Sequence, residues 1–258
     1  MRDELKKLTK FGEFLRQYTL QLLRIRYRGS ILGFLWTLLN PLIVCISFSL
    51  IFSYLNQAKI QTYGVFFLSG YLPWAFFLAA TTASTFAILG NANYITRMAI
   101  PRSIFPTSYV LVTLVDLLAG LVALAIIIAW AGAPVSPAII FLPFSILLTA
   151  LFAWGVCLLF AALNVIFRDF YYLWNAASFL WFFFTPILYP MAKIPEGPRR
   201  FFELNPFLPF VRLFQEPLSA GRIPEPSTIG LACLYTAAAV LAGGTYFVKK
   251  QRLFYLYL

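Results

Sequence analysis

Residues 24–41 read Arg24-Ile25-Arg26-Tyr27-Arg28-Gly29-Ser30-Ile31-Leu32-Gly33-Phe34-Leu35-Trp36-Thr37-Leu38-Leu39-Asn40-Pro41. Three arginines stand at alternate positions, and then no charge appears until Lys59. That boundary sets the fold class. Positive charge packed against the edge of a long apolar run is the pattern of a chain entering a bilayer.

The rest of the sequence repeats it. Residues 60–96, 170–192 and 226–248 carry no charge, and residues 103–167 carry one, Asp116. The chain is 61% hydrophobic and 11% charged, with a mean hydropathy of +0.82. Soluble domains are about 25% charged. A helix crosses the hydrocarbon in about 20 residues. The run from 117 to 167 is too long for one crossing, and Gly132-Ala133-Pro134-Val135-Ser136-Pro137 breaks it. The expected architecture is therefore an all-α membrane protein with six transmembrane helices. The spans are placed at 31–55, 65–89, 106–131, 139–163, 171–190 and 227–248. Residues 1–29 form a cytoplasmic amphipathic interface helix, and 30–258 form the transmembrane domain. The first apolar run follows a long polar stretch, unlike a cleaved signal peptide.

Fourteen of the twenty Lys and Arg residues fall on the side of the N-terminus, the 90–105 loop, Arg168 and the tail. The other six are Lys59, Lys193, Arg199, Arg200, Arg212 and Arg222. Positive loops stay inside, which places both termini in the cytoplasm. In a chain this apolar, the net charge of +11 points to a membrane surface and not to nucleic acid.

Three segments outside the spans carry information. In residues 5–28 a polar face (Lys6, Lys10, Glu13, Gln17, Gln21, Arg24, Arg28) opposes an apolar stripe (Phe11, Phe14, Leu15, Tyr18, Leu22, Ile25). Such a helix suits the membrane interface. Arg26 is rotated by about 200° from Arg24 and leans toward the apolar side. In residues 90–102, Asn93 is placed as the cap of a short basic helix that Pro101 stops. Residues 186–226 hold nine of the sixteen prolines, yet Phe201, Phe202, Phe207, Phe210 and Phe214 make the segment too apolar for a free loop. Re-entrant helices buried in protein fit it.

Two stripes suggest a lined path. Residues 170–184 contain nine aromatics, and on a helix Tyr171, Trp174, Asn175, Ser178, Trp181 and Thr185 share one face. Leu173, Ala176, Ala177, Leu180 and Ile187 are placed on the other. In the first span Trp36, Asn40, Ser47 and Tyr54 give a similar series with Thr37. Rings alternating with polar groups suit a long ligand that offers both apolar CH faces and hydroxyls. Weak repeated contacts let it enter and still leave. A lipid-facing aromatic belt is the competing reading.

The motifs, in order, are Arg26 to Trp36 with Asn40-Pro41, then Gly70-Tyr71-Leu72-Pro73-Trp74, and Ile100-Pro101-Arg102-Ser103-Ile104-Phe105-Pro106. Phe167-Arg168-Asp169, Thr185-Pro186-Ile187-Leu188-Tyr189-Pro190, and Asn205-Pro206 with Arg212 follow. This series resembles the polysaccharide and polyol-phosphate export permeases, membrane subunits of ATP-binding-cassette exporters, and most of all those that export O-antigen. Capsule and teichoic-acid exporters share the pattern. The resemblance implies a homodimer in the bacterial inner membrane, with two separate ATPase subunits beneath it and a channel that threads a lipid-linked polysaccharide outward. It also implies that Arg24, Arg26 and Arg28 face a lipid diphosphate or headgroups. Asn93, Tyr94, Arg97, Met98, Pro101 and Arg102 would then meet the ATPase.

Several classes are disfavoured. No glycine is followed by lysine, so a phosphate-cradling ATP loop is missing, and ATP with its magnesium belongs to a partner chain. The nine acids form no paired motif for acid–base or metal chemistry. There is no His, and Cys45, Cys157 and Cys233 lie in apolar runs, so neither a metal site nor a cofactor is expected. An exporter of small hydrophobic drugs is the main rival. Asp116, inside the third span, is expected to face protein or water, because an Asp at mid-depth costs about 2.5–3.5 kcal/mol.

Overall fold

The computed structural model describes residues 10–55, 59–133 and 135–257. The expected helix start at residue 5, the basic residues Arg2, Lys6 and Lys7, and Pro134 lie outside the described residues. Among those described, all the regular structure is helical. Its α-helices are α1 (Gly12–Tyr27), α2 (Trp36–Leu55), α3 (Ile60–Thr85), α4 (Ala92–Arg97), α5 (Ile104–Ala131) and α6 (Leu142–Ile166). There follow α7 (Phe170–Phe183), α8 (Glu196–Glu203), α9 (Leu208–Gln215), α10 (Pro226–Lys250) and α11 (Phe254–Tyr257).

Among the described residues, five helical stretches are long and apolar enough to cross a bilayer: Gly33–Leu55, Ile60–Thr85, Ile104–Ala131, Pro137–Ile166 and Pro226–Tyr257. The break expected at 132–137 is built from two turns. Gly132 ends α5 in the left-handed region at φ 61°, where a side chain is disfavoured, and Ala133 N–H returns to the Ile128 carbonyl. Ser136 then caps the next turn, accepting from Ala138 N–H at 3.2 Å while its hydroxyl donates to Gly221.

The expected span at 171–190 differs. Helix α7 stops at Phe183 after 14 residues, a length of about 21 Å against about 30 Å of hydrocarbon. The cause is local. Pro186 disfavours helical geometry at Thr185, and Asn205 captures the released backbone. Its Nδ2 donates to Phe184 O at 3.0 Å and Thr185 Oγ1 at 2.9 Å. Its Oδ1 accepts from Trp181 Nε1 at 2.8 Å and Phe207 N at 2.9 Å. Ile187, expected on the outer face of the helix, is instead in this turn and fully buried.

The proline-rich segment is folded into the protein. Phe207, Phe210, Val211, Leu213 and Phe214 have no exposed surface, and their rings pack on Phe77, Phe152 and Trp74. Helices α6 and α10 approach each other closely at a glycine seam. A Cβ on Gly155 would stand 2.5 Å from the Ala239 backbone, so two helices with glycines at the seam touch main chain to main chain.

A second core closes one end of the bundle. It joins Tyr18, Ile95, Phe105, Phe247 and Phe254 from five different elements. Helix α1 runs along the start of α5. Tyr18 meets Phe105 edge to face at 5.4 Å, and Arg26 meets Asp116 eight residues later. Its stripe therefore packs on protein at Tyr18, where a helix lying on lipid was expected. Ile25 is left exposed.

Candidate functional site

A cavity of about 950 Å³ opens between α2 and α7, with α3 as its floor. Helix α2 lines it with Trp36, Asn40, Val44 and Phe48, one residue per turn. Helix α7 contributes Asn175, Ser178, Phe179 and Phe182. From α3 come Tyr71, Trp74, Ala75, Leu78 and Thr82. Each of the three walls thus carries both rings and small polar groups.

Of the residues expected to line a path, Trp36, Thr37, Asn40, Asn175 and Ser178 meet in this cavity. Ser47 and Tyr54 do not. Both are exposed on another part of α2, Tyr54 at 85%. Trp174 and Trp181 are turned into the protein. Trp174 Nε1 donates to Thr82 Oγ1 at 3.2 Å, and the two indoles meet edge to face with Phe77. Thr185 is buried beneath Asn205. Tyr171 packs at a tilt against Phe86, outside the cavity lining. The cavity face of α7 is centred about 60° around the helix from the expected stripe. The same contacts explain the offset. Indoles are large, and each N–H finds an acceptor only toward α3 and the Asn205 turn. Leu173 and Leu180 are exposed on the outer face.

One end of the cavity carries charge. Arg26 Nη1 donates to Asp116 Oδ2 at 2.5 Å, and Tyr27 donates to Oδ1 at 3.4 Å. Arg26, Tyr27 and Asp116 all line the cavity. The Arg26 side chain is 46% exposed and that of Asp116 22%. The guanidinium expected to face headgroups is therefore held by a carboxylate 90 positions away. Asp116 faces protein, as its position requires. Arg24 and Arg28 are exposed and lie outside the lining. The pairing was missed in the sequence because nothing in the spacing joins the two residues. The available signal was chemical: a lone acid in a span, and one arginine turned off its helix's polar face.

The segment after α3 forms a second site. Helix α4 begins at Ala92, so Asn93 is inside it and is not its cap. Asn91 precedes it and is buried, accepting from Tyr18 Oη at 2.6 Å and donating to Ala87 O. Burial raises the Tyr18 pKa, which keeps that hydroxyl a donor. The helix ends at Arg97, four residues short of Pro101, and Met98 is already extended. Asn93, Arg97 and Met98 project outward. Tyr94 packs on Phe14, Tyr18 and Phe105, and Pro101 is buried. Arg102 donates to the Gln251 carbonyl and lies over the Tyr255 ring at 4.4 Å. Six residues expected on one surface thus divide into three that face out and three that hold the segment. Among the described residues, no cluster of three or more His, Cys, Asp or Glu has the makings of a metal site.

Comparison with known proteins bears on what these sites belong to. The chain is 28% identical over 235 residues to the O-antigen export system permease protein RfbA of Myxococcus xanthus, covering 90% of each. It is 29% identical over 202 residues to a protein of the same name from Klebsiella pneumoniae, covering 78% of each. The polysialic acid transport protein KpsM of Escherichia coli is 23% identical over 259 residues, with 93% of this chain and 92% of KpsM covered. Residues 15–218, which hold the cavity, the Arg26–Asp116 pair and the α4 segment, match the ABC-2 type transporter family, and the chain belongs to it.

Proposed function

We propose that the chain is the membrane-spanning subunit of an ATP-driven exporter that carries a lipid-linked polysaccharide, of the O-antigen kind, out across the bacterial inner membrane. The observation that carries this reading is the cavity walled by α2, α3 and α7. Its rings (Trp36, Trp74, Phe179, Phe182) suit the CH faces of sugars, and Asn40, Thr82, Asn175 and Ser178 suit their hydroxyls. The names of the relatives support the same class.

In this reading α7 and the buried turn after it make the fifth of six crossings, α1 sits at the cytoplasmic interface, and both termini are cytoplasmic. Two copies enclose the path. The outer face of α2, with Ser47 and Tyr54, continues it beyond Phe48 once the second copy covers that face. Hydrolysis belongs to two ATPase subunits that dock on Asn93, Arg97 and Met98, and ATP with magnesium is bound there. Arg26 receives the lipid diphosphate, since a guanidinium fork can donate twice to one phosphate. An entering head competes with Asp116 for it, while Arg24 and Arg28 hold the surrounding headgroups.

Co-reconstitution of the chain with a candidate ATPase in proteoliposomes tests the reading. Lipid-linked polysaccharide should stimulate ATP hydrolysis and be moved across the bilayer. A small hydrophobic amine that does both, with no response to polysaccharide, favours a drug exporter. One observation favours that rival: the cavity follows α2 only from Trp36 to Phe48, about 18 Å. A response to capsule or teichoic-acid polymer in place of O-antigen keeps the mechanism and changes the cargo.

A further inference from the structure

The C-terminal turn is joined to the α4 segment on both sides of its exposed stretch. Tyr255 Oη donates to the Ile95 carbonyl at 3.2 Å, within α4. The Tyr255 ring lies under the Arg102 guanidinium at 4.4 Å, just before α5. Arg102 also donates to the Gln251 carbonyl. Between these two attachments Thr96, Arg97, Met98 and Ala99 are exposed. Phe254 anchors the turn, being fully buried against Phe247 in the second core. One tyrosine thus spans the exposed stretch, with its own backbone fixed at the root.

We infer that Tyr255 is a positioning residue that stiffens residues 95–102, so that displacement of their exposed stretch reaches α5 and is not lost in the loop. The inference rests on the proposed docking of an ATPase on Asn93, Arg97 and Met98. The physical argument is one of compliance. Residues 98–102 have no helical hydrogen bonding along most of their length, because α4 has ended and α5 starts only at Ile104. Such a stretch yields to a push unless its ends are braced. The brace is made of a directional hydrogen bond and a stacked cation, attached where the two helices meet the loop. Arginine suits it, since a planar guanidinium can stack and donate at once.

The test uses the assembled permease–ATPase complex in proteoliposomes with lipid-linked polysaccharide. Tyr255→Leu removes both attachments, and Tyr255→Phe removes only the hydrogen bond to Ile95. Three readouts are taken: cross-linking of Met98→Cys to the ATPase, polymer exported per ATP hydrolysed, and amide exchange at 96–102. The expected result is cross-linking retained in both variants. Exported polymer per ATP should fall by about 2- to 30-fold in Tyr255→Leu and by less in Tyr255→Phe, the span of effects for residues lying between coupled sites. Exchange at 96–102 should quicken in the same order. If Tyr255→Leu does not assemble, Tyr255→Phe decides by the same readouts. Wild-type export per ATP with unchanged exchange overturns the role of Tyr255 and leaves the docking proposal standing. Failure of Met98→Cys and of its neighbours to cross-link in an assembled wild-type complex overturns the docking proposal itself.

Discussion

The Arg26–Asp116 pair is the sharpest energetic claim, and a double-mutant cycle tests it. Asp116→Asn keeps the shape and removes the charge. Arg26→Gln removes the guanidinium, and the double variant removes both. Fully exposed ion pairs contribute about 0.2–1 kcal/mol. Two charges about 4 Å apart near a protein surface attract by about 4 kcal/mol before desolvation is counted. This pair lies between those limits, with Asp116 22% exposed and Arg26 46%. A hydrogen bond to a charged group is worth about 1.5–3 kcal/mol. Allowing for the solvent on the arginine, the expected coupling is about 1–2 kcal/mol. The assay is thermal unfolding of all four proteins in one lipid nanodisc. A kcal/mol moves the midpoint of a chain this size by about 2–4 °C. Arg26→Gln alone should lose most, because it leaves the less exposed of the two charges, the Asp116 carboxylate, unpaired inside the bundle. The double variant should recover part of that loss. Near 1 M salt, where the screening length is about 3 Å, the gap should narrow. Losses that add to within about 0.5 kcal/mol, the behaviour of independent sites, would refute the pairing.

Three further outcomes are expected. Gly155→Ala sets a Cβ against the Ala239 backbone, which cannot swing aside, and should cost about 1–3 kcal/mol in the same unfolding assay; an unaltered midpoint contradicts the close α6–α10 contact. Asn205→Ala strands the Trp181 Nε1–H and Phe207 N–H, at about 1–3 kcal/mol for each buried group; a loss below about 1 kcal/mol removes its role as the staple of the α7 turn. Cysteines at Asn93 and Arg97 should cross-link to the ATPase while one at buried Pro101 should not; equal yields at all three would deny the division of that segment into an outer and an inner face.

Much of the fold was legible because lipid enforces it. A charge-free run long enough to cross leaves little choice of structure, and the Gly132–Pro137 break uses the turn chemistry its residues carry. The length of α7 was less legible. Residues 170–192 are as uncharged as the longer apolar helices, and α7 ends where Pro186 and the distant Asn205 act together. The cavity face of α7 was misplaced for a related reason. Periodicity groups Trp174 with Ser178 but cannot say that the indoles point at Thr82 and Asn205 and leave Asn175 and Phe179 to the opening. At α4 the helix starts one residue before Asn93, and Asn91 is drawn off by Tyr18. The Arg26–Asp116 contact joins two elements that sequence pattern treats separately, and only the packing of α1 along α5 brings them together.

The central claim is that the space between α2, α3 and α7 carries the polymer. Single cysteines at Asn40 and Asn175, each labelled with a short photo-reactive thiol reagent, test it during ATP-driven transport of lipid-linked polysaccharide. Leu173, on the outward face of α7, is the control. Photocross-linking to the polymer is predicted at Asn40 and Asn175, only with ATP and the ATPase present, and not at Leu173. Polymer attached at Leu173 but at neither asparagine would contradict the account.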